Sequence, residues 1–234
     1  IVHGRNAGRG QALVAEIEKA GKGTARFYRA DFASLADVRR LADDITRDYP
    51  RLDLLVNNAG IFLSGPRQVS ADGHELTFAV NYLAGYLLTQ RLLPLLEKGR
   101  SPLIVNVSSR SAAPIDFADV MLERDYTAYR AYSQSKLAQV MFTIDLASGV
   151  GPKGIRTLAV HPATGMDTTL LTTAGLSPRS TVDEGATAVM SAIAGDAPSG
   201  TYFLGLAIGT PHQQAADADA RRRLRELSDR LTGR

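Results

Sequence analysis

The sequence predicts an α/β fold, a doubly wound parallel sheet forming one domain over residues 1–234. Three observations predict it. Short apolar runs alternate with segments of helical period, the pattern left by parallel strands that helices cover on both faces. The length of 234 residues suits one domain, and no repeat or long linker divides it. Finally, polar clusters close the apolar runs: Asp31, Asn57-Asn58-Ala59-Gly60, Ser108-Ser109 and His161-Pro162-Ala163-Thr164. Ligands of open α/β sheets sit at the carboxyl ends of the strands, so these clusters mark the candidate site before any motif is considered.

The elements follow in order. Residues 1–3 read as the end of a strand. Residues 8–20 carry Leu13, Ile17 and Ala20 at helical spacing, and Gly21 stops the run. Residues 25–30 read as a short strand ending at Asp31. Ser34 is the expected N-cap of a helix over 35–49, with Leu41 and Ile45 inward and Pro50 ending it. Residues 52–56 form an apolar strand, 72–97 one long helix and 103–107 a second apolar strand. A helix over 126–148, a strand over 155–160, a helix over 183–194 and a short strand over 202–204 complete the alternation. Residues 215–231 form an arginine-rich final helix.

Composition narrows the function. Hydrophobic residues make up 44% and charged residues 22%, enough apolar material for one buried core. The chain has no cysteine, which excludes disulfides, thiolate catalysis and cysteine-held zinc; no metal site is expected. The net charge of +3 is spread along the chain and is too mild to indicate nucleic acid. No apolar run reaches the roughly 18 residues of a membrane span, and the opening residues do not read as a signal peptide. A cytoplasmic protein is expected.

The chemistry gathers in Tyr132-Ser133-Gln134-Ser135-Lys136. On a helix, residues four apart share a face. An ammonium beside a phenol favours the phenolate, which lowers the tyrosine pKa from about 10 toward neutrality and makes the phenol a usable proton donor and acceptor. The spacing alone is weak, since a helix surface can carry Tyr and Lys by chance. It gains weight from the strand running into Ser108-Ser109, from Asn57-Asn58-Ala59-Gly60 and from Asn81 within a helix.

In order and placement these motifs resemble the short-chain dehydrogenase/reductase family, over nearly the whole chain. The long segment between serine and tyrosine, and the closing Leu227-Ser228 to Leu231-Thr232-Gly233, resemble its retinol-dehydrogenase-like branch. The resemblance implies a Rossmann-type sheet and interconversion of a ketone or aldehyde with an alcohol by hydride transfer. Tyr132 then matches the general acid/base, and Lys136 the residue that tunes it and holds the nicotinamide ribose. Ser109, the second of its pair, matches the serine that hydrogen-bonds the carbonyl oxygen, and Asn81 the asparagine of the proton relay. Asn57, Ala59 and Gly60 match the motif lining the cofactor cleft, where glycine admits close backbone approach. Asp31, followed by Phe32, matches the acid that pairs with adenine. Pro162 and Thr164 fall on the nicotinamide-side loop, where Ala163 departs from the family's Pro-Gly. His161 is expected to be structural.

Cofactor preference is read from Arg5. NAD-preferring relatives place an acid at this strand end, on the ribose 2′-hydroxyl. Here Gly4-Arg5 stands instead, and a guanidinium offers a bidentate fork for a 2′-phosphate. NADP is therefore expected over NAD.

The family's glycine-rich phosphate loop is not matched by Gly8-Arg9-Gly10, which follows the strand bearing Arg5. The matching therefore begins at the family's second strand. The expectation is that a βα unit of about 30 residues precedes it. Without the central strand, each lost backbone partner would cost about 1–3 kcal/mol, and the chain alone is expected to fail as an enzyme.

Two rival readings share some motifs. An extended relative, such as a nucleotide-sugar epimerase or dehydratase, needs a larger C-terminal domain than the residues after Lys136 supply. A non-catalytic cofactor-sensing Rossmann protein has no need of the full Tyr132 and Lys136 set. The segments 110–127 and 166–181, with Ile115, Phe117, Met121, Leu122, Leu170 and Leu171, fall where this fold builds its substrate walls. They suggest an apolar carbonyl or alcohol substrate, or else loops packed on the core. Self-association into a homo-oligomer is left open.

Overall fold

The computed structural model describes all 234 residues. The chain runs β1 (Val2–Gly4), α1 (Ala7–Lys19), β2 (Phe27–Arg29), α2 (Leu35–Asp48), β3 (Leu54–Asn57), α3 (Leu76–Phe78), a π-helical turn (Ala79–Leu83), α4 (Ala84–Leu96), β4 (Leu103–Val107), α5 (Ala128–Val150) and β5 (Arg156–His161). It closes with α6 (Thr169–Thr173), α7 (Val182–Ala194), β6 (Thr201–Leu204), β7 (Ala207–Ile208), α8 (Gln213–Ala216) and α9 (Ala218–Thr232).

The strands are parallel except β7, and they fall into two pieces. β1 pairs with β2, while β3, β4, β5, β6 and β7 are ordered side by side. The mostly parallel, doubly covered sheet matches the expected class. It is divided between β1 and β3, and at that edge Leu54 and Val56 of β3 stay exposed, although an apolar strand was expected to be buried on both faces.

Alternation within β4 shows how the layers form. Ile104 joins the core built by α4, α5 and α9, whereas Leu103 and Val105 pack toward α7 on the other face, as the two-residue period of a strand demands. A second core fills the space between α2 and α4, where Val38, Leu41 and Ile45 meet Leu88 and Leu92. Ser34 caps α2 as expected, its side chain accepting from the Asp37 N–H. Gly10 is buried in α1, and a methyl there would overlap the Phe27 ring. Gly8 and Gly10 thus lie within α1, and Gly10 serves close helix-to-strand packing.

Two expectations are corrected. The helix expected over 72–97 starts only at α3, after Gly73 in a left-handed turn (φ 80°), and is interrupted by the π turn. The final helix is two, because Asp217 leaves the helical region and caps α9 with its side chain. α6 and β7 went unforeseen, being too short to show a period. Among the candidate substrate-wall residues, Ile115, Leu122 and Leu171 are buried, Phe117 and Met121 pack partly against the core, and Leu170 is half-buried.

Candidate active site

The site forms where β3, β4 and β5 end against the N-terminal half of α5 and the π turn. Thr127 caps α5, accepting from the Arg130 N–H at 3.1 Å, and so fixes where the helix starts relative to Tyr132. Tyr132 and Lys136 then share a face, with the Lys136 ammonium 5.7 Å from the Tyr132 ring centre. Phe62 lies edge-on to the Tyr132 ring at 5.7 Å.

The electrostatics differ from the expectation. Burial raises the Tyr132 pKa above its usual 10, and the Ser109 side chain works against that rise. The lysine does not lead because its ammonium is held elsewhere. Lys136 Nζ donates to the Val107 carbonyl and to Gln139 Oε1, both at 2.9 Å. Lys136 is 4% exposed, and burial lowers its pKa from 10.5 to about 8, since a charge in a dry interior is costly.

The two serines take different roles. Ser108 Oγ donates to the Lys136 carbonyl at 2.7 Å and is thereby committed to the helix backbone. Ser109 faces Tyr132; its Oγ accepts from the Ser111 N–H at 3.1 Å, and its carbonyl accepts from the Tyr202 hydroxyl at 2.9 Å. Beside it opens a cavity of about 380 Å³ lined by Arg110, Leu137, Val140, Tyr202 and His212.

Asn81 sits in the π turn, a local widening that recurs at functional sites. Its Oδ1 accepts from the Ile61 N–H at 2.7 Å, and its Nδ2 donates to the Ile61 carbonyl and to Ser135 Oγ, both at 3.0 Å. Ser135 Oγ in turn donates to the Tyr132 carbonyl at 2.7 Å. Asn81 therefore ties the segment after Gly60 to the helix turn that bears Tyr132. Gly60 borders the same corner: a Cβ there would sit in ordinary contact, at 3.5 Å, with Asn81 Oδ1 and Lys136 Nζ.

Asn57 anchors the sheet end: its Nδ2 donates to Thr89 Oγ1 and Asn106 Oδ1 at 2.9 Å, and Asn106 passes the chain to Thr143 Oγ1 at 2.9 Å. Ala59 is exposed beside it. Asp31 uses Oδ1 to accept from the Ala33 N–H at 3.0 Å, and Phe32 stacks on His3 at 4.2 Å. The Arg5 side chain is exposed and enters no ion pair. Arg29, which the pairing of β1 with β2 sets opposite Gly4, donates from Nε to the Arg5 carbonyl at 3.2 Å. Pro162 is buried. Thr164 hydrogen-bonds His161 Nε2 through Oγ1 at 3.0 Å, and burial holds the His161 pKa down at about 4, so the ring is neutral near pH 7.

Tyr132, Lys136, Ser109, Asn81 and Gly60 thus converge. Arg5, Asp31 and Phe32 lie apart, at the ends of β1 and β2. Sequence reasoning missed Gln139, Ser135, Arg29 and Asn106. Asn106 left a signal, as a polar residue inside an apolar strand, and Gln139 lies three residues after Lys136 on the same helix.

The profile of the short chain dehydrogenase family matches residues 1–176. The chain is a short-chain dehydrogenase. It is 35% identical to retinol dehydrogenase 13 of Mus musculus over 228 residues, covering 89% of this chain and 68% of that protein. It is 34% identical to polyprenol dehydrogenase of Mus musculus, covering 100% of this chain and 76% of that protein. Among solved structures, a Mycobacterium paratuberculosis protein superposes with a TM-score of 0.80 at 30% identity, covering 99% of this chain and 82% of that one. A short chain dehydrogenase from Burkholderia cenocepacia in complex with NADP gives 0.67 at 28% identity, covering 86% and 83%. This short-chain dehydrogenase is accordingly an oxidoreductase of the CH–OH/C=O pair with a small-molecule substrate. No helix is long and apolar enough to cross a membrane.

Proposed function

We propose that the protein interconverts a ketone or aldehyde with an alcohol using NADP, with Tyr132 as the general acid/base. The observation that carries this reading is the convergence of Tyr132, Ser109 and Lys136 in one buried corner, with the Gly60 backbone brought close to Lys136 Nζ. A nicotinamide cofactor, when bound, supplies or accepts the hydride. The residues present fit such a group: Gly60 leaves room for close approach, Lys136 offers an ammonium donor for ribose hydroxyls, and Arg5 offers an unpaired guanidinium for a 2′-phosphate. The NADP bound in the Burkholderia relative supports the preference.

In the reducing direction, Ser109 Oγ donates to the substrate carbonyl oxygen as negative charge develops there. Tyr132 gives its phenolic proton to that oxygen, leaving an alcohol and a phenolate. The Lys136 ammonium, 5.7 Å from the Tyr132 ring centre, is the nearby cation that favours the phenolate once it forms, against the burial that disfavours it. Asn81 holds Ser135 and the Ile61 peptide and so keeps the Tyr132 turn in register. Oxidation of an alcohol reverses these proton movements.

The test follows oxidation of NADPH, and in parallel NADH, with a panel of apolar ketones and aldehydes. With the family's phosphate loop in place in the protein assayed, turnover with NADPH of at least one carbonyl is expected. Tight NADPH binding with no turnover across the panel would contradict the catalytic reading and favour a cofactor-sensing one.

A further inference from the structure

Lys136 is the one lysine buried in the site, and its surroundings are assigned residue by residue. The ammonium has two protein acceptors, the Val107 carbonyl and Gln139 Oε1, each at 2.9 Å. The Val107 carbonyl belongs to the backbone and is beyond the reach of side-chain variation. Gln139 is the only side chain that accepts from this ammonium, and it is itself 4% exposed. An uncompensated ammonium in a dry interior is strongly disfavoured. The Gln139 carbonyl dipole therefore bears directly on whether Lys136 carries its proton.

Gln139 is also held in place. Its backbone carbonyl accepts from Thr143 Oγ1 at 2.8 Å. Thr143 Oγ1 in turn accepts from Asn106 Nδ2, and Asn106 Oδ1 accepts from Asn57 Nδ2. A buried polar chain thus runs from the end of β3 to the turn of α5 that carries Gln139. The remaining groups that face the ammonium are few. Tyr132 lies one turn earlier on α5. His161, at the end of β5, feels both Lys136 and Arg110 and is neutral. Asn81 and Gly60, from the π turn and the segment after β3, bring no charge.

We propose that Gln139 is a positioning residue, which fixes the place of the Lys136 ammonium and sustains its charged form through Oε1. The inference rests on the Tyr132 and Lys136 chemistry proposed above. Removing the acceptor makes the ammonium costlier, so the proton leaves at lower pH. Replacing the amide by a carboxylate makes the ammonium cheaper, so the proton leaves at higher pH. If Gln139 only filled space, removing its carbonyl at similar volume would leave the midpoint in place, whereas a carboxylate beside the ammonium raises it in any case.

The experiment reads the lysine itself. The chain has five lysines, and a Lys136→Met variant assigns the Lys136 signal in a carbon-13 NMR titration of lysine side chains. Gln139→Leu is expected to lower the Lys136 midpoint by about one pH unit, the scale of one lost charge-assisted bond. Gln139→Glu is expected to raise it. The alkaline limb of kcat should move the same way in each variant. A Lys136 midpoint unmoved or raised in Gln139→Leu overturns the proposal. Should Gln139→Leu fail to fold, Gln139→Met, of similar length and without the carbonyl, decides in its place, with a downward shift supporting and any other result contradicting. The titration needs no turnover, so it separates this inference from the catalytic reading, which falls instead if Tyr132→Phe stays active.

Discussion

Asn81 grips the peptide groups of Ile61 from both sides, accepting from its N–H at 2.7 Å and donating to its carbonyl at 3.0 Å. Asn81 makes these bonds, and a third to Ser135, from within the π turn over Ala79–Leu83. Conformation, packing and site geometry therefore meet in one side chain that is 2% exposed.

Replacing Asn81 by alanine should cost about 2–4 kcal/mol of stability, because it removes three hydrogen bonds and strands buried partners. The variant should also lose kcat as the Tyr132 turn loosens. Asn81→Asp keeps the acceptor for Ile61 but loses both donations, and should fare no better near neutral pH. Urea denaturation and steady-state kinetics check both statements. An Asn81→Ala variant with native stability would show that the grip on Ile61 contributes nothing.

In the proposed reaction Arg5 is the residue that would favour NADP. Its side chain is exposed with no acidic partner, so it is free to meet a phosphate. Arg5→Ala should weaken NADPH roughly ten- to a hundredfold, the value of a lost charge-assisted bond, and leave NADH nearly unchanged. Titrations with the two cofactors measure this. Equal weakening of both would mean that Arg5 does not read the 2′-phosphate.

His161 gives the fold a pH dependence. Its folded pKa is about 4 and its unfolded value 6.5. Between these values the unfolded chain binds more protons, so stability rises with pH across that window and is lost as pH falls through it. The full effect is on the order of 3 kcal/mol. Denaturation midpoints from pH 4 to 7 should show the slope, and His161→Asn should flatten it. An unchanged slope in the variant would place its origin elsewhere.

Much of this was legible in the sequence, and the particular failures are physical. α2 was readable because Ser34, the inward apolar positions and Pro50 agree, so local and tertiary signals point the same way. The site clusters were readable because strand ends in this architecture collect polar residues. The interruption at Asn81 was hidden, because a π turn answers to the Ile61 peptide twenty residues away and not to any local period. The Tyr132 environment was misjudged for the same reason. Four-residue spacing gives proximity on a helix face, but Gln139 and the Val107 carbonyl decide where the ammonium rests. Leu54 and Val56 read as buried because an apolar run shows only the capacity for burial, while their exposure depends on what lies beside β3.

In the proposed reaction Tyr132 donates the proton, and the sharpest check is single-turnover oxidation of bound NADPH by a reactive aldehyde. Tyr132→Phe keeps the ring, its contact with Phe62 and its place on α5, and removes only the hydroxyl. NADPH affinity should be nearly unchanged while the rate falls by about 10²–10⁴-fold, the usual contribution of general acid catalysis. A variant that keeps a tenth or more of the wild-type rate would contradict it.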